Sequence, residues 1–302
     1  MTVGIDRRSV LKIVAGAGAA TVASALPARA SDRPPLGQAP EDARGLLYDA
    51  TLCIGCKTCV VACQEANGLP PDDRLDPRYN MPTDLNDRAK TVIKLFAADD
   101  GRMSYFKAQC MQCIDPACVS ACMLGAFQKR EYGIVTWEAD RCIGCRYCQV
   151  ACPYNVPKFE WASATPRIVK CELCNHRLAE GKEPACTAVC PVKAVIFGKR
   201  AELLAEAKRR IAANPDRYQP TVFGETEGGG TQTLVLAPAN VSYQELGLPD
   251  LGDEPTPQLA RTVQHGIYKG FVAPVALYGL LSLVMWRNRR KAGEGEAEEE
   301  AR

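Results

Sequence analysis

Cys142-Ile143-Gly144-Cys145-Arg146-Tyr147-Cys148-Gln149-Val150-Ala151-Cys152-Pro153 is the stretch on which the reading of this chain turns. Its Cys-x2-Cys-x2-Cys-x3-Cys-Pro spacing lets one tight loop bring three thiolates to a cube of iron and sulfide. The fourth cysteine leaves on a helical turn toward a second cube. Such a stretch is half of a two-cluster ferredoxin unit, so complementary ligands must lie elsewhere in the chain.

An internal repeat supplies some of them. Cys53-Ile54-Gly55-Cys56-Lys57-Thr58-Cys59-Val60-Val61-Ala62-Cys63 matches Cys142 to Cys152 at eight of eleven positions, the mark of a duplicated element. Two expanded quartets complete the set: Cys110-x2-Cys113-x4-Cys118-x3-Cys122 and Cys171-x2-Cys174-x11-Cys186-x3-Cys190-Pro191. Both keep the leading Cys-x2-Cys and the trailing Cys-x3-Cys, so Asp115-Pro116 in one and residues 175–184 in the other read as loop expansions. All sixteen cysteines are thereby used, with none left for a disulfide or a lone nucleophile.

Three chemistries compete for these thiols. Structural zinc prefers two Cys pairs separated by a dozen or more residues, and two of the quartets pack four cysteines into eleven positions. A disulfide framework suits an oxidising compartment but conflicts with the export signal described below, which implies folding before export. Iron-sulfur ligation fits the spacing, and sixteen thiolates divide into four [4Fe-4S] clusters. With only two histidines in 302 residues, mixed Cys/His sites and imidazole catalysis have almost no scope. No His, Ser or carboxylate constellation and no nucleotide or molybdenum signature appears, so no catalysis is assigned. A net charge of +2, without basic runs interleaved with aromatics, argues against nucleic acid as a partner.

Along the chain, residues 1–30 read as a twin-arginine export signal. Arg7-Arg8 and Lys12 precede a weakly apolar run, Ile13 to Leu26, and Ala28-Arg29-Ala30 offers small residues to a signal peptidase. A protein exported folded can receive its clusters beforehand in the cytoplasm. After a lead over residues 31–46, a cluster domain is expected over residues 47–246. Within it, Asn67 to Arg88 is a Pro-, Asp- and Asn-rich loop, and Thr91 to Phe96, Gly133 to Trp137, Ala194 to Gly198 and Thr231 to Leu236 have strand character. Leu203, Leu204, Ala207 and Ile211 share one face of a helix predicted over Arg200 to Ala213. Gly224 to Gly230 reads as a turn, because no Lys-Ser/Thr pair and no helix follow as a phosphate loop requires.

Residues 247–265 form a predicted linker and residues 266–287 a transmembrane helix. Gly270 to Trp286 gives seventeen uncharged, mostly apolar residues, flanked by Tyr268 and Trp286 at interfacial positions and followed by Arg287, Arg289, Arg290 and Lys291. The positive-inside rule then puts the tail, residues 288–302, in the cytoplasm and the cluster domain outside.

The four quartets resemble the electron-transfer subunits of the formate dehydrogenase, dimethyl sulfoxide reductase and polysulfide reductase superfamily. The export signal, Tyr48-Asp49-Ala50-Thr51-Leu52-Cys53, Cys152-Pro153-Tyr154-Asn155-Val156-Pro157-Lys158, Lys170-Cys171-Glu172-Leu173-Cys174-Asn175, Ala194 to Gly198, Gly228-Gly229-Gly230-Thr231-Gln232 and the single C-terminal span narrow the likeness. Together they resemble the membrane-anchored ferredoxin subunit of hydrogenase-2 type respiratory nickel-iron hydrogenases. The resemblance implies an α+β fold of two interlocked bacterial-type 2[4Fe-4S] ferredoxin units with insertions, plus the C-terminal helix. It implies that outer motifs pair and inner motifs pair. Cluster A would then take Cys53, Cys56, Cys59 and Cys190, and cluster B Cys171, Cys174, Cys186 and Cys63. Cluster C would take Cys110, Cys113, Cys118 and Cys152, and cluster D Cys142, Cys145, Cys148 and Cys122. The implied role is an electron wire between a periplasmic hydrogenase or formate dehydrogenase subunit and an integral, quinone-reactive membrane subunit. Lys57, Arg146, Lys158 and Lys170 lie close in sequence to ligands, where positive charge would raise cluster potentials.

Overall fold

The computed structural model describes residues 38–70, 84–163, 166–258, 266, 270–272 and 274–288. The export signal, residues 71–83 of the Asn67 to Arg88 loop and the tail beyond Asn288 lie outside the described residues. The elements run β1 Arg44–Asp49, α1 Thr58–Ala66, β2 Thr91–Ala97, β3 Met103–Gln109, α2 Ala117–Ser120, β4 Phe127–Lys129, β5 Val135–Trp137, α3 Tyr147–Ala151, β6 Lys158–Phe159 and β7 Ile168–Val169. They continue with α4 Asn175–Ala179, α5 Ala185–Ala188, β8 Val195–Lys199, α6 Arg200–Ala213 and β9 Thr233–Leu236. A final helix, α7, covers Gly270–Asn288.

β1 organises one half. It pairs antiparallel with β8 and parallel with β9, in the order β8-β1-β9. Strand side chains alternate between faces. Leu46 and Tyr48 therefore enter the main core with Val92, Phe106, Val195 and Val235, while Leu47 meets Leu203 and Ala207 of α6 on the other side. The helix and its apolar face fall where the 3.6-residue pattern placed them, with Leu203 and Ala207 buried. Gly45 is required in β1 by close approach, since a Cβ there would lie 1.9 Å from the Gln232 carbonyl oxygen.

The other sheets are two-stranded: β2-β3, β4-β5 and β6-β7, all antiparallel. The strand expected at Thr91 to Phe96 is β2. Its partner β3 and the two-residue strands β6 and β7 are additions to the sequence reading. The Gly133 to Trp137 strand begins at Val135, because Glu131–Gly133 closes a single 3-10 turn first. Gly224 to Gly230 is a turn whose carbonyls, at Gly224 and Glu225, accept from the Arg200 guanidinium at 3.1 and 3.0 Å. Its geometry serves a cation inside the fold and leaves no cradle for phosphate.

The stretch expected as linker starts inside the folded body. Leu248 is buried in the main core and the Gly228 N–H donates to the Gly252 carbonyl at 2.7 Å. α7 is the one helix among the described residues that is long and apolar enough to cross a membrane, with mean hydropathy 1.5. Its described side chains, Leu280 and Trp286 among them, are exposed.

Candidate metal centre

The four cysteine loops share one backbone device. The residue two places after each leading cysteine is left-handed: Gly55 (φ 70°), Gln112 (φ 51°), Gly144 (φ 70°) and Leu173 (φ 49°). A left-handed residue curls the chain so that successive amides face inward, the arrangement that receives an anionic group. Glycine takes this conformation at no steric cost, and the compact loops use it. Gln112 is held there by its own side chain, whose amide donates to the Cys171 carbonyl at 2.8 Å and accepts from the Val135 N–H at 2.7 Å. Lys57 (φ 59°) and Arg146 (φ 64°) repeat a second left-handed turn just before α1 and α3.

The trailing cysteines also follow a rule. Gly125, Asn155 and Lys193, each three residues after Cys122, Cys152 and Cys190, are left-handed and donate their N–H to that cysteine's carbonyl at 3.1, 3.0 and 3.3 Å. Cys122 thus makes the same turn without the proline that follows Cys152 and Cys190. Cys63 differs, being inside α1, where Asn67 donates to its carbonyl at 2.7 Å.

All sixteen cysteines are free thiols. Cys59 lies within electrostatic reach of Cys53, Cys56 and Cys190, and these four line one hollow. Cys63 faces Cys171, Cys186 and Cys174. Cys113 faces Cys110, Cys118 and Cys152, which line a second hollow with it. Cys148 faces Cys142, Cys145 and Cys122, again around a shared hollow. Thiols of neighbouring groups lie within electrostatic reach of one another in turn: Cys186 with Cys59, Cys110 with Cys171, and Cys118 with Cys148. The groups therefore stand in a row, from the Cys53 loop through the Cys171 and Cys110 loops to the Cys142 loop.

Burial pushes several of the thiols up, Cys110 to about 11 and Cys148 and Cys186 to about 12, with neighbouring thiolates adding to the effect at Cys186. Cys56, exposed at one end, is instead lowered, chiefly by the Thr58 hydroxyl 3.4 Å from its sulfur. Thiols gathered in fours are a donor set for a metal group, whose binding displaces their protons. Backbone N–H groups already point at sulfur, from Ala126 to Cys122 at 3.2 Å, Gly144 to Cys142 at 3.4 Å and Leu173 to Cys171 at 3.4 Å. Among the described residues, no three His, Cys, Asp or Glu side chains close tightly enough to hold one metal ion.

Two lysines inside the row are almost fully buried, each 2% exposed. Lys170 donates to the Val135 and Cys171 carbonyls and lies over the Phe127 ring. Lys107, which sequence reasoning passed over, donates to the Thr91 hydroxyl at 2.6 Å and to Gln109. Burial works against the charge of both, yet the thiolates around them outweigh it and hold both pKa values up. The missed signal was a lysine and a glutamine alternating in a strand that runs straight into Cys110. Of the other cations near ligands, Lys57 and Lys158 are half-buried, and Arg146 stacks 4.0 Å from the Trp161 ring centre.

Comparison with known proteins points the same way. Two families, each described as a 4Fe-4S dicluster domain, match residues 45–123 and 101–200. The hydrogenase-2 operon protein HybA of Escherichia coli O157:H7 is 38% identical to this chain over 95% of it and 96% of its own length. A protein of Nitratidesulfovibrio vulgaris is 39% identical over 97% of this chain and 80% of its own. The nitrate-inducible formate dehydrogenase iron-sulfur subunit of E. coli K12 is 35% identical over 78% of this chain and 80% of its own.

Proposed function

Because the chain belongs to the 4Fe-4S dicluster family of iron-sulfur subunits that includes HybA and the formate dehydrogenase subunits, we propose that it is the membrane-anchored electron-transfer subunit of a respiratory nickel-iron hydrogenase. It is an electron carrier and not the catalytic subunit. Bound at its thiols, each [4Fe-4S] cluster supplies a one-electron carrier. We assign Cys53, Cys56, Cys59 and Cys190 to cluster A, Cys171, Cys174, Cys186 and Cys63 to B, Cys110, Cys113, Cys118 and Cys152 to C, and Cys142, Cys145, Cys148 and Cys122 to D. The observation that carries this reading is the row of four thiol groups, each within electrostatic reach of the next.

Both ends of the row surface. Cys56 at the A end and Cys145 at the D end are exposed, each within an apolar collar: Ile54 and Val61 at one, Met123, Ile143 and Val150 at the other. Exposed apolar rims of this kind are interaction sites. We assign them to the catalytic subunit and to an integral, quinone-reactive membrane subunit. The paired arginines and the cleavage-site residues support export by the twin-arginine route. The exposed, apolar α7 and the basic residues after it support a periplasmic domain anchored by one span with a cytoplasmic C-terminus. In domain terms the reading is a signal over residues 1–30, a lead to 46, a cluster domain over 47–246, a connecting stretch to 265, a span over 266–287 and a tail.

A second reading, the same wire serving a periplasmic formate dehydrogenase, is supported by the 35% identity to the E. coli formate dehydrogenase subunit. Affinity purification of the tagged chain from solubilised membranes, anaerobically, separates the two. Hydrogen should reduce the clusters by one electron each, seen as the appearance of their electron paramagnetic resonance signals, and a quinone should reoxidise them and remove those signals. Reduction by formate alone would favour the second reading. A chain that copurifies with no oxidoreductase and responds to neither donor would overturn the wire.

A further inference from the structure

Lys107 and Lys170 sit at different junctions of the row. Lys107 lines the hollow of the A thiols, and the thiolates that act on it are Cys186, Cys59, Cys171 and Cys63, one from A and three from B. Lys170 lines the hollow of the C thiols and faces Cys110 and Cys118 of C together with Cys171 of B. Neither lysine lines the hollow of the D thiols, which is closed by Ala121, Met123, Phe127, Arg141, Arg146 and Ile168 around its cysteines. Their hydrogen bonds, to Thr91 and Gln109 for Lys107 and to two backbone carbonyls for Lys170, fix both amines in place, and the one carboxylate that acts on either is Glu172, on Lys170.

A buried cation is costly, and it persists where buried negative charge faces it. One electron entering a cluster adds one negative charge beside the ammonium, so a fixed lysine favours the reduced form. We propose that Lys107 and Lys170 are positioning charges that set the potentials of adjoining clusters, Lys107 those of A and B, Lys170 those of B and C, leaving D to neither. This rests on the cluster assignment above. It goes beyond that assignment in predicting a response map, with B answering to both lysines.

The test is an anaerobic dithionite titration of the full-length protein, read by electron paramagnetic resonance, on Lys107→Met, Lys170→Met and the charge-keeping Lys107→Arg. Lys107→Met should lower the reduced-to-oxidised ratio of two signals about tenfold at fixed potential, about 59 mV for a one-electron couple. Lys170→Met should move one of those two and a third, and neither should move the fourth. Lys107→Arg should titrate as the parent does. Should the methionine variant fail to assemble its clusters, Lys107→Gln removes the charge while keeping a donor for Thr91 and Gln109. Parent-like potentials in variants with full iron content, or an equal shift of all four signals, would overturn the inference alone. Absence of iron-sulfur signals from the parent protein would instead sink the assignment on which it rests.

Discussion

Left-handed residues two places into each cysteine loop make four stretches of different length into copies of one shape. In the compact loops the requirement is visible as Gly55 and Gly144, and a side chain at Gly55 would also run into the Tyr105 ring 2.4 Å away. In the expanded loops Gln112 and Leu173 hide it, since neither residue type signals a positive φ, which costs roughly 1–2 kcal/mol outside glycine. The four cysteine quartets were thus legible from spacing alone, whereas which cysteines of different quartets lie together was not. Cys63 and Cys171 are more than a hundred residues apart in the chain, and no local pattern links them; only the family resemblance did. The assignment is testable one residue at a time. Cys152→Ala should disturb the cluster held by Cys110, Cys113 and Cys118, a loop thirty residues upstream, more than that of its own loop. Spectroscopy showing the Cys142 loop's cluster lost first would reverse the pairing of C with D.

Among elements, β1 and α6 pack face to face through Leu47, Leu203 and Ala207 and are tied together by a buried carboxylate. Asp49, with no exposed surface, accepts from Arg210 and the Tyr218 hydroxyl, both at 3.0 Å, and from the Thr51 N–H and hydroxyl at 3.0 and 2.7 Å. A buried carboxylate so fully satisfied is expensive to unpair, because its partners are left behind without an acceptor. Asp49→Ala should cost about 3 kcal/mol, seen as a fall of several degrees in the anaerobic unfolding midpoint. An unchanged midpoint would show that this tie contributes nothing to stability. α6 could be read from sequence because fourteen residues carry a clear period, and β2 because Thr, Val and Ile run together. β6 and β7, two residues each, carry no period at all. β3 was hidden for a chemical reason: Lys107 and Gln109 look like surface residues until the thiols that Lys107 faces, and its bond to Gln109, are known.

For the molecule as a whole, one apolar core joins the β8-β1-β9 sheet to β2-β3, and the row of thiols runs beside it. The β8-β1-β9 sheet and α1 flank the A and B loops, while β4-β5 and β6-β7 pack around the D loop through Phe127, Val135, Phe159 and Ile168. The Cys171 loop ties the halves, with Gln112 and Lys170 both bonded to the Cys171 carbonyl. The alternative for sixteen cysteines at a membrane, a zinc-bound scaffold, differs in composition and can be excluded by weighing atoms. Anaerobic metal and acid-labile sulfide analysis of the purified full-length chain is therefore the most direct measurement. About sixteen iron and sixteen sulfide per chain is the predicted result; about four zinc with no sulfide would contradict the account.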